Sequence, residues 1–262
     1  MDIIVCIKRV PDATEAEIEV SRDGQSIDTE DLTFGISEWD NFAVEEAISI
    51  KEEHGGSVTA ISIGDEDSED VLRRALAMGA DRAVLVSDAV FEGSDAFATA
   101  RILHQVVSQH QFDLVLTGAI ASDTSAGQVG GMLAAMLDVP QVALATDMSI
   151  EGSKAVVQHE VEGGLERVVE LELPALVTVQ SGINEPRYVS IRGIRKVAGE
   201  EIPVIDAGSL GIDVSELGRA GSRVRLNELF ISAEGEGAEI LEGSTEEVAD
   251  QLIERMRERG VL

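Results

Sequence analysis

One stretch of the chain combines residue types that can hold an anion. It is GAIASDTSAGQVGG, residues 118–131, which overlaps the end of the apolar run FDLVLTG at 112–118. Small side chains let backbone N–H groups come close to a phosphate, and Ser122, Thr124 and Ser125 can add hydroxyl donors. A helix opened by Gln128, Val129, Gly130 and Gly131 would contribute the partial positive charge of its N-terminus. A plain strand-to-helix connection has the same composition. The stretch is neither a Walker A loop, which needs GK[ST], nor a GxGxxG dinucleotide turn. Other chemistry is sparse: GxSxG, HExxH and CxxC do not occur. His54, His104, His110 and His159 lack metal-ligand spacing and read as helix-end or surface residues. The many carboxylates read mostly as solvated surface. Cys6 is the single cysteine, so no intrachain disulfide can form, and one thiol suits a reducing cytoplasm. Trp39 and Tyr188 beside six phenylalanines offer no aromatic platform for bases.

The elements that must position this loop alternate. DIIVCI at 2–7, SVTAISI at 57–63, AVLVS at 83–87 and FDLVLTG are short apolar runs of the kind buried on both faces of a parallel sheet. Helices are expected at 37–54, 68–78, 95–109 and 126–138, the first two closed by Gly55-Gly56 and Gly79. Ser37 with Asp40 three residues on approximates a capping box. EIEV, the Arg22-Asp23-Gly24 turn and QSID read as a hairpin. The alternation predicts a doubly wound, mostly parallel α/β sheet, whose ligands bind beyond the carboxyl ends of the strands.

From residue 141 the pattern becomes strand-like. VALATDMSI, AVVQHEV and ERVVELEL are separated by turns at Gly152 and Gly163-Gly164, and PALVTVQSG follows. Residues 205–262 read as a separate arm after a domain spanning 1–204. The arm contains SAEGEGAE and a helix at 244–259, where Ser244 and Glu247 form a capping box. Val248, Leu252, Ile253 and Met256 make a narrow apolar stripe that suits packing on another protein.

The formal charge of −30 comes from 50 acidic against 20 basic residues, of which only Lys8, Lys51, Lys154 and Lys196 are lysines. Such a field repels nucleic acid and anionic lipid. Dispersed acids with scarce lysine read as adaptation to a high-salt cytoplasm, where screening removes most self-repulsion. No stretch approaches 18 uncharged apolar residues, so no transmembrane helix and no direct membrane insertion are expected. The start MDIIVCIKRV reads as a strand and lacks signal-peptide features. The residues alone lead to an acidic, nucleotide-capable α/β protein with a partner-seeking tail and no self-contained catalytic machinery.

Several stretches, in order, resemble the electron transfer flavoprotein beta subunit. They are IIVCIKRVPD, AVEEAISIKEEHGG, RRALAMGADRAVLV, DLVLTGAIASDTSAGQVGGMLAAMLDVPQV, VQHEVEGGLERVVELELPALVTV and GINEPRYVSIRGIRK. With its composition, the chain resembles a haloarchaeal member. The resemblance implies a Rossmann-like domain with added strands and a C-terminal arm that embraces an alpha subunit holding most of a redox-active FAD. It implies an AMP site in this chain, or a second FAD there in members that bifurcate electrons from NADH. It further implies acyl-CoA or related dehydrogenases as donors and a membrane quinone oxidoreductase as acceptor.

Carried over by position, the resemblance places Cys6, Ser37, Glu38, Trp39, Asp40, Ile63 and the run Gly118–Val129 at the nucleotide. Asp123, Ser125, Gly127, Gln128 and Val129 fall nearest the phosphates, with Gly130 just beyond. It makes Ile191, after NEPRY, the side chain inserted into a dehydrogenase pocket, worth roughly 1.5–3 kcal/mol if buried. Arg187, Arg192, Arg195 and Lys196 surround it as a positive cluster able to steer acidic partners, Tyr188 joins the partner contact, and Asn184 and Pro186 fix the turn. Glu160 falls near the flavin. The chain departs from the pattern at His159, where a basic residue is usual, and at Ala119-Ile120, where Lys-Gln is common. It also departs at Ala13, where some members carry a tyrosine beside the flavin. One extra residue between Glu162 and Pro174 is expected to form a bulge. A free-standing universal-stress-type regulator shares the core but needs neither NEPRY nor the arm.

Overall fold

A computed structural model describes residues 1–12, 18–232 and 237–262. Ala13, Glu17 of EIEV and residues 233–236 of SAEGEGAE lie outside the described residues. The elements run β1 (Asp2–Ile7), β2 (Arg9–Asp12), β3 (Thr33–Ile36), α1 (Glu38–His54), β4 (Ser57–Ile63), α2 (Glu69–Met78), β5 (Arg82–Val86), α3 (Ala96–Val107), β6 (Leu114–Gly118) and α4 (Val129–Leu137). They continue through β7 (Gln141–Glu151), β8 (Lys154–Val161), β9 (Leu165–Glu172), β10 (Ala175–Val179), α5 (Ile191–Val197), β11 (Val204–Ile205), α6 (Ala207–Leu210), α7 (Gly218–Gly221) and α8 (Thr245–Glu258).

Among the described residues the main sheet has nine strands in the order β11-β5-β4-β1-β6-β10-β7-β8-β9. Its first seven are parallel, and β7, β8 and β9 pair antiparallel at one edge. The alternation of side chains along β1 explains why the apolar runs are continuous. Ile3, Val5 and Ile7 enter a core with Val44, Ile48 and Leu72 of α1 and α2. Ile4 and Cys6 enter a second core with Ile102 and Leu103 of α3 and Leu133 of α4. A strand buried on both faces cannot alternate polar and apolar residues. Strand order reverses at β1, whose neighbours are β4 and β6. The carboxyl ends of β1 and β6 therefore flank the crevice where open α/β sheets take ligands.

The structure departs from expectation in several places. Among the described residues the hairpin around Asp23-Gly24 holds one bridge, Val20 with Ile27, flanked by Ser21 N–H on Ser26 O and Asp28 N–H on Glu19 O, while β2 and β3 form a separate antiparallel pair. The β8–β9 ladder runs without interruption from Lys154↔Glu172 to Val161↔Leu165, so no bulge lies there. The irregularity falls in β7 between Ala145 and Asp147. The boundary at 204 is also displaced: β11 extends the sheet edge beside β5, and Ala207, Leu210 and Leu217 are buried in the second core. Asp95 then accepts the N–H groups of Arg223 (2.6 Å) and Val224 (2.8 Å), tying the chain to the first turn of α3. Only beyond Val224 does it leave the body. There Leu229 donates to Gly24 O at 2.7 Å and Gln25 Nε2 to Asn227 O at 2.7 Å. The capping box of Ser244 and Glu247 opens α8, which has no buried residue. Among the described residues no helix is long and apolar enough to cross a membrane.

Candidate functional site

The crevice is built around one buried carboxylate. Asp40, in the first turn of α1, accepts Lys8 N–H at 2.8 Å through Oδ2 and Gly118 N–H at 2.9 Å through Oδ1. It thereby ties the carboxyl ends of β1 and β6 to the start of α1. Gly118 must be glycine, because a Cβ there would run into Asp40 Oδ1 and Trp39 Cβ. Burial pushes the Asp40 carboxyl up to about 7, against the pull of the two N–H donors and Lys8. The expected capping box at Ser37 is not formed: neither its hydroxyl nor Asp40 caps α1. Ser37 is fully buried, and its Oγ instead accepts Ser122 N–H at 3.3 Å. Both side chains that could have closed the helix end are used to hold the loop.

Across the mouth, Lys8 Nζ meets Asp123 Oδ2 at 2.5 Å, and Asp123 Oδ1 accepts Thr124 N–H at 2.8 Å. The Lys8 ammonium compensates the carboxylate that would otherwise repel an anion. Residues 122–128 are exposed. The loop reverses at Ser125 (φ +50°) and Gly127 (φ +62°), with Ser125 N–H on Ala121 O at 2.8 Å. Helix α4 begins at Val129 and has no side-chain cap, so its first-turn N–H groups face the mouth without a side-chain acceptor. Gln128 is its exposed N-cap residue.

Gly130 does different work from that expected. A Cβ there would lie 2.5 Å from Thr178 Cγ2 and 2.8 Å from Thr117 Oγ1, on the sheet side. It allows close packing of α4 on β6 and β10. Cys6 lies at the same end of β1, buried between Ile61 and Thr117 in register. Burial first, then Asp40, push its thiol up to about 12, so it is an inert wall. Ile63 ends β4, half-buried against the second core. Trp39 is half-buried beside Gly118.

The family model for the electron transfer flavoprotein domain matches residues 26–210. The chain is 38% identical over 263 residues to the electron transfer flavoprotein subunit beta of Thermoanaerobacterium thermosaccharolyticum, covering 100% of both. It is 36% identical over 262 residues to that of Methylophilus methylotrophus, covering 98% of each. The CarD subunit of the caffeyl-CoA reductase-Etf complex of Acetobacterium woodii is 34% identical, with 100% of both chains covered. The chain belongs to the electron transfer flavoprotein family. Its relatives place it with the beta subunits.

Two further regions of this beta subunit hold the remaining candidates. Glu160 lies on β8, in an open cleft of about 760 Å³ with Gln141, Leu144, His159, Arg167 and Gln180. Leu144 there has a positive φ of +60°, a strained conformation beside the β7 irregularity. The NEPRY segment leads into α5. Tyr188 and Ile191 are 88% and 70% exposed, and Arg192, Arg195 and Lys196 are exposed as well. Arg187 was expected in the steering cluster. Its guanidinium instead forks onto Glu45 and Glu52 of α1, so that charge is answered within the chain.

Lys8 and the pair Glu45 and Glu46 escaped the reading of the sequence. Lys8 carried a signal, as one of four lysines placed directly after a strand. The two glutamates did not, because a carboxylate in an acidic chain reads as solvated surface.

Proposed function

We propose that the chain is the beta subunit of a heterodimeric electron transfer flavoprotein. In this reading it accepts electrons from acyl-CoA and related dehydrogenases through an FAD held mainly by the alpha subunit, and passes them to a quinone oxidoreductase. The flavin supplies the redox chemistry; this chain supplies docking and position. The observation that carries the reading is the mouth between β1 and β6. There small residues, an uncapped helix start and the Lys8–Asp123 pair suit an adenylate such as AMP. Gly127 N–H, Gln128 N–H and the first turn of α4 would take its phosphate, with Ser125 as a hydroxyl donor. Trp39, Ile63 and Cys6 would wall the mouth. The ligand would act structurally, stabilising the folded chain by mass action.

Val224, Leu226, Phe230, Ile231, Ile240, Leu252 and Ile253 are exposed apolar residues along the arm. They support a clasp on the alpha subunit, and Ile191 with Tyr188 supports a dehydrogenase contact. In this reading Glu160, in its cleft, would lie near the flavin. The charge of −30 supports a high-salt cytoplasm as the setting.

A second reading puts another FAD in the same mouth and bifurcates electrons from NADH. Ala119 and Ile120 stand where Lys-Gln is common, which removes a feature that would mark the site for AMP. Co-purification with the natural alpha subunit tests both by cofactor stoichiometry. One FAD and one AMP per heterodimer support the carrier, and two FADs support bifurcation. A colourless monomer would end both readings.

A further inference from the structure

Helix α1 carries a second set of buried carboxylates. Glu45 and Glu46, one to two turns beyond Asp40, are only 6% and 8% exposed. Buried carboxylates must be answered, and here a single segment answers both. Arg187 Nε lies 2.9 Å from Glu45 Oε2 and its Nη2 lies 2.9 Å from Glu45 Oε1, a bidentate fork. The Arg187 backbone N–H donates to Glu45 Oε2 at 2.9 Å as well. The outer edge of the same guanidinium reaches Glu52 at 2.8 and 3.1 Å. Asn184 Nδ2 donates to Glu46 Oε2 at 2.9 Å and to Phe42 O at 3.1 Å. Residues 184–187 are thus fastened by both side chains and backbone.

The far end of the segment is fastened independently. Arg73 of α2 donates to Val197 O at 2.9 Å and Glu200 O at 3.3 Å, while Glu69 fixes its other side. Between the two fastenings the chain presents Tyr188, Ile191 and Ile194 outward, and α5 has no buried residue. A seven-residue helix without a core cannot persist by itself. Its shape comes from the fastened ends together with the Ser190 N-cap and its seat along α2.

We propose that Glu45, Glu46 and Arg73 are positioning residues that hold the surface 188–196 in a preformed docking shape. The fitting partner is a protein with an apolar pocket for Ile191 and an acidic rim for Arg192, Arg195 and Lys196. This rests on the docking reading given above and deepens it: Arg187 belongs to the fastening, and the remaining cations to the contact. Preforming the surface removes ordering cost at the moment of binding.

The test uses the intact heterodimer and its natural dehydrogenase. Ile191→Ala serves as the control for docking itself. Glu45→Gln is expected to raise KM for the flavoprotein about tenfold with kcat nearly unchanged. FAD and nucleotide content should be unaffected. Amide exchange over 188–196 should quicken in Glu45→Gln but not in Ile191→Ala. In the double variant the KM effects should fall short of additive, since Glu45 acts through where Ile191 sits. If Ile191→Ala raises KM and Glu45→Gln does not, the fastening inference is overturned while docking stands. If neither changes KM yet exchange quickens in Glu45→Gln, the docking reading falls and the preformed docking surface falls with it. Should Glu45→Gln fail to fold, Glu52→Gln, whose carboxylate is exposed, should raise KM about threefold. An unchanged KM in that variant overturns the inference equally.

Discussion

The mouth between β1 and β6 and the segment 184–200 hang from the same helix by opposite means. At the first turn of α1, Asp40 turns inward and is satisfied by two backbone N–H groups. Farther along, Glu45 and Glu46 turn toward another segment and are satisfied mainly by side chains. The mouth places backbone atoms, which is what a small anion needs. The segment leaves apolar side chains uncovered, which is what a protein partner needs. A buried charge held by backbone is rigid and intolerant; one held by an arginine fork can be loosened in steps.

The intolerance of the mouth can be measured. Asp40 has a folded pKa near 7 against an ordinary value of 3.8. The folded state therefore holds more protons than the unfolded state between these values, and stability falls as pH rises through the window. The loss reaches about 4 kcal/mol by about pH 7. Asp40→Asn should flatten that slope, with denaturant midpoints converging on or overtaking wild type as pH increases; an unchanged slope would mean that Asp40 is ionised throughout.

Gly130→Val comes next. Its side chain must enter the space of Thr117 and Thr178, costing roughly 1–3 kcal/mol. Thermal melting would show this with and without nucleotide. Lost nucleotide with unchanged stability would instead put Gly130 at the anion site. Ile191→Ala should weaken electron transfer from the dehydrogenase by up to about 1.5–3 kcal/mol in kcat/KM, with FAD content unchanged. Lost FAD would make Ile191 structural.

The arm should be the most forgiving. Ser244→Ala removes the capping box of a helix with no buried residue. It should cost about 1 kcal/mol of local helix stability, read by amide exchange at 245–248, with little effect on the global midpoint. Across all regions, lowering KCl from about 2 M to about 0.2 M should reduce stability through self-repulsion. Salt-independent melting would sink the high-salt reading.

Much of the fold was legible because its signals are local and periodic. Apolar runs, glycine stops and the Ser244–Glu247 pattern each report on a few adjacent residues. The strand-to-helix loop at 119–128 was legible for the same reason: its small residues and the following helix are contiguous. Ser37 and Asp40 were misread because a capping box and a loop tether use the same residue types at the same spacing. Which one forms depends on β6 arriving alongside. The packing role of Gly130 was not legible because composition cannot tell which face of a helix meets a sheet.

The sequence by itself determined the parallel core, the small-residue loop between β6 and α4, the acidic field and the family. Those rest on hydrophobic period, backbone permissiveness, net charge and residues in contiguous order. Only the tertiary structure decided where the charges went. Lys8 meets Asp123 across 115 positions, and Arg187 meets Glu45 across 142. Pairing at that range is set by strand order and helix placement, because a carboxylate carries no local mark of the partner that will answer it.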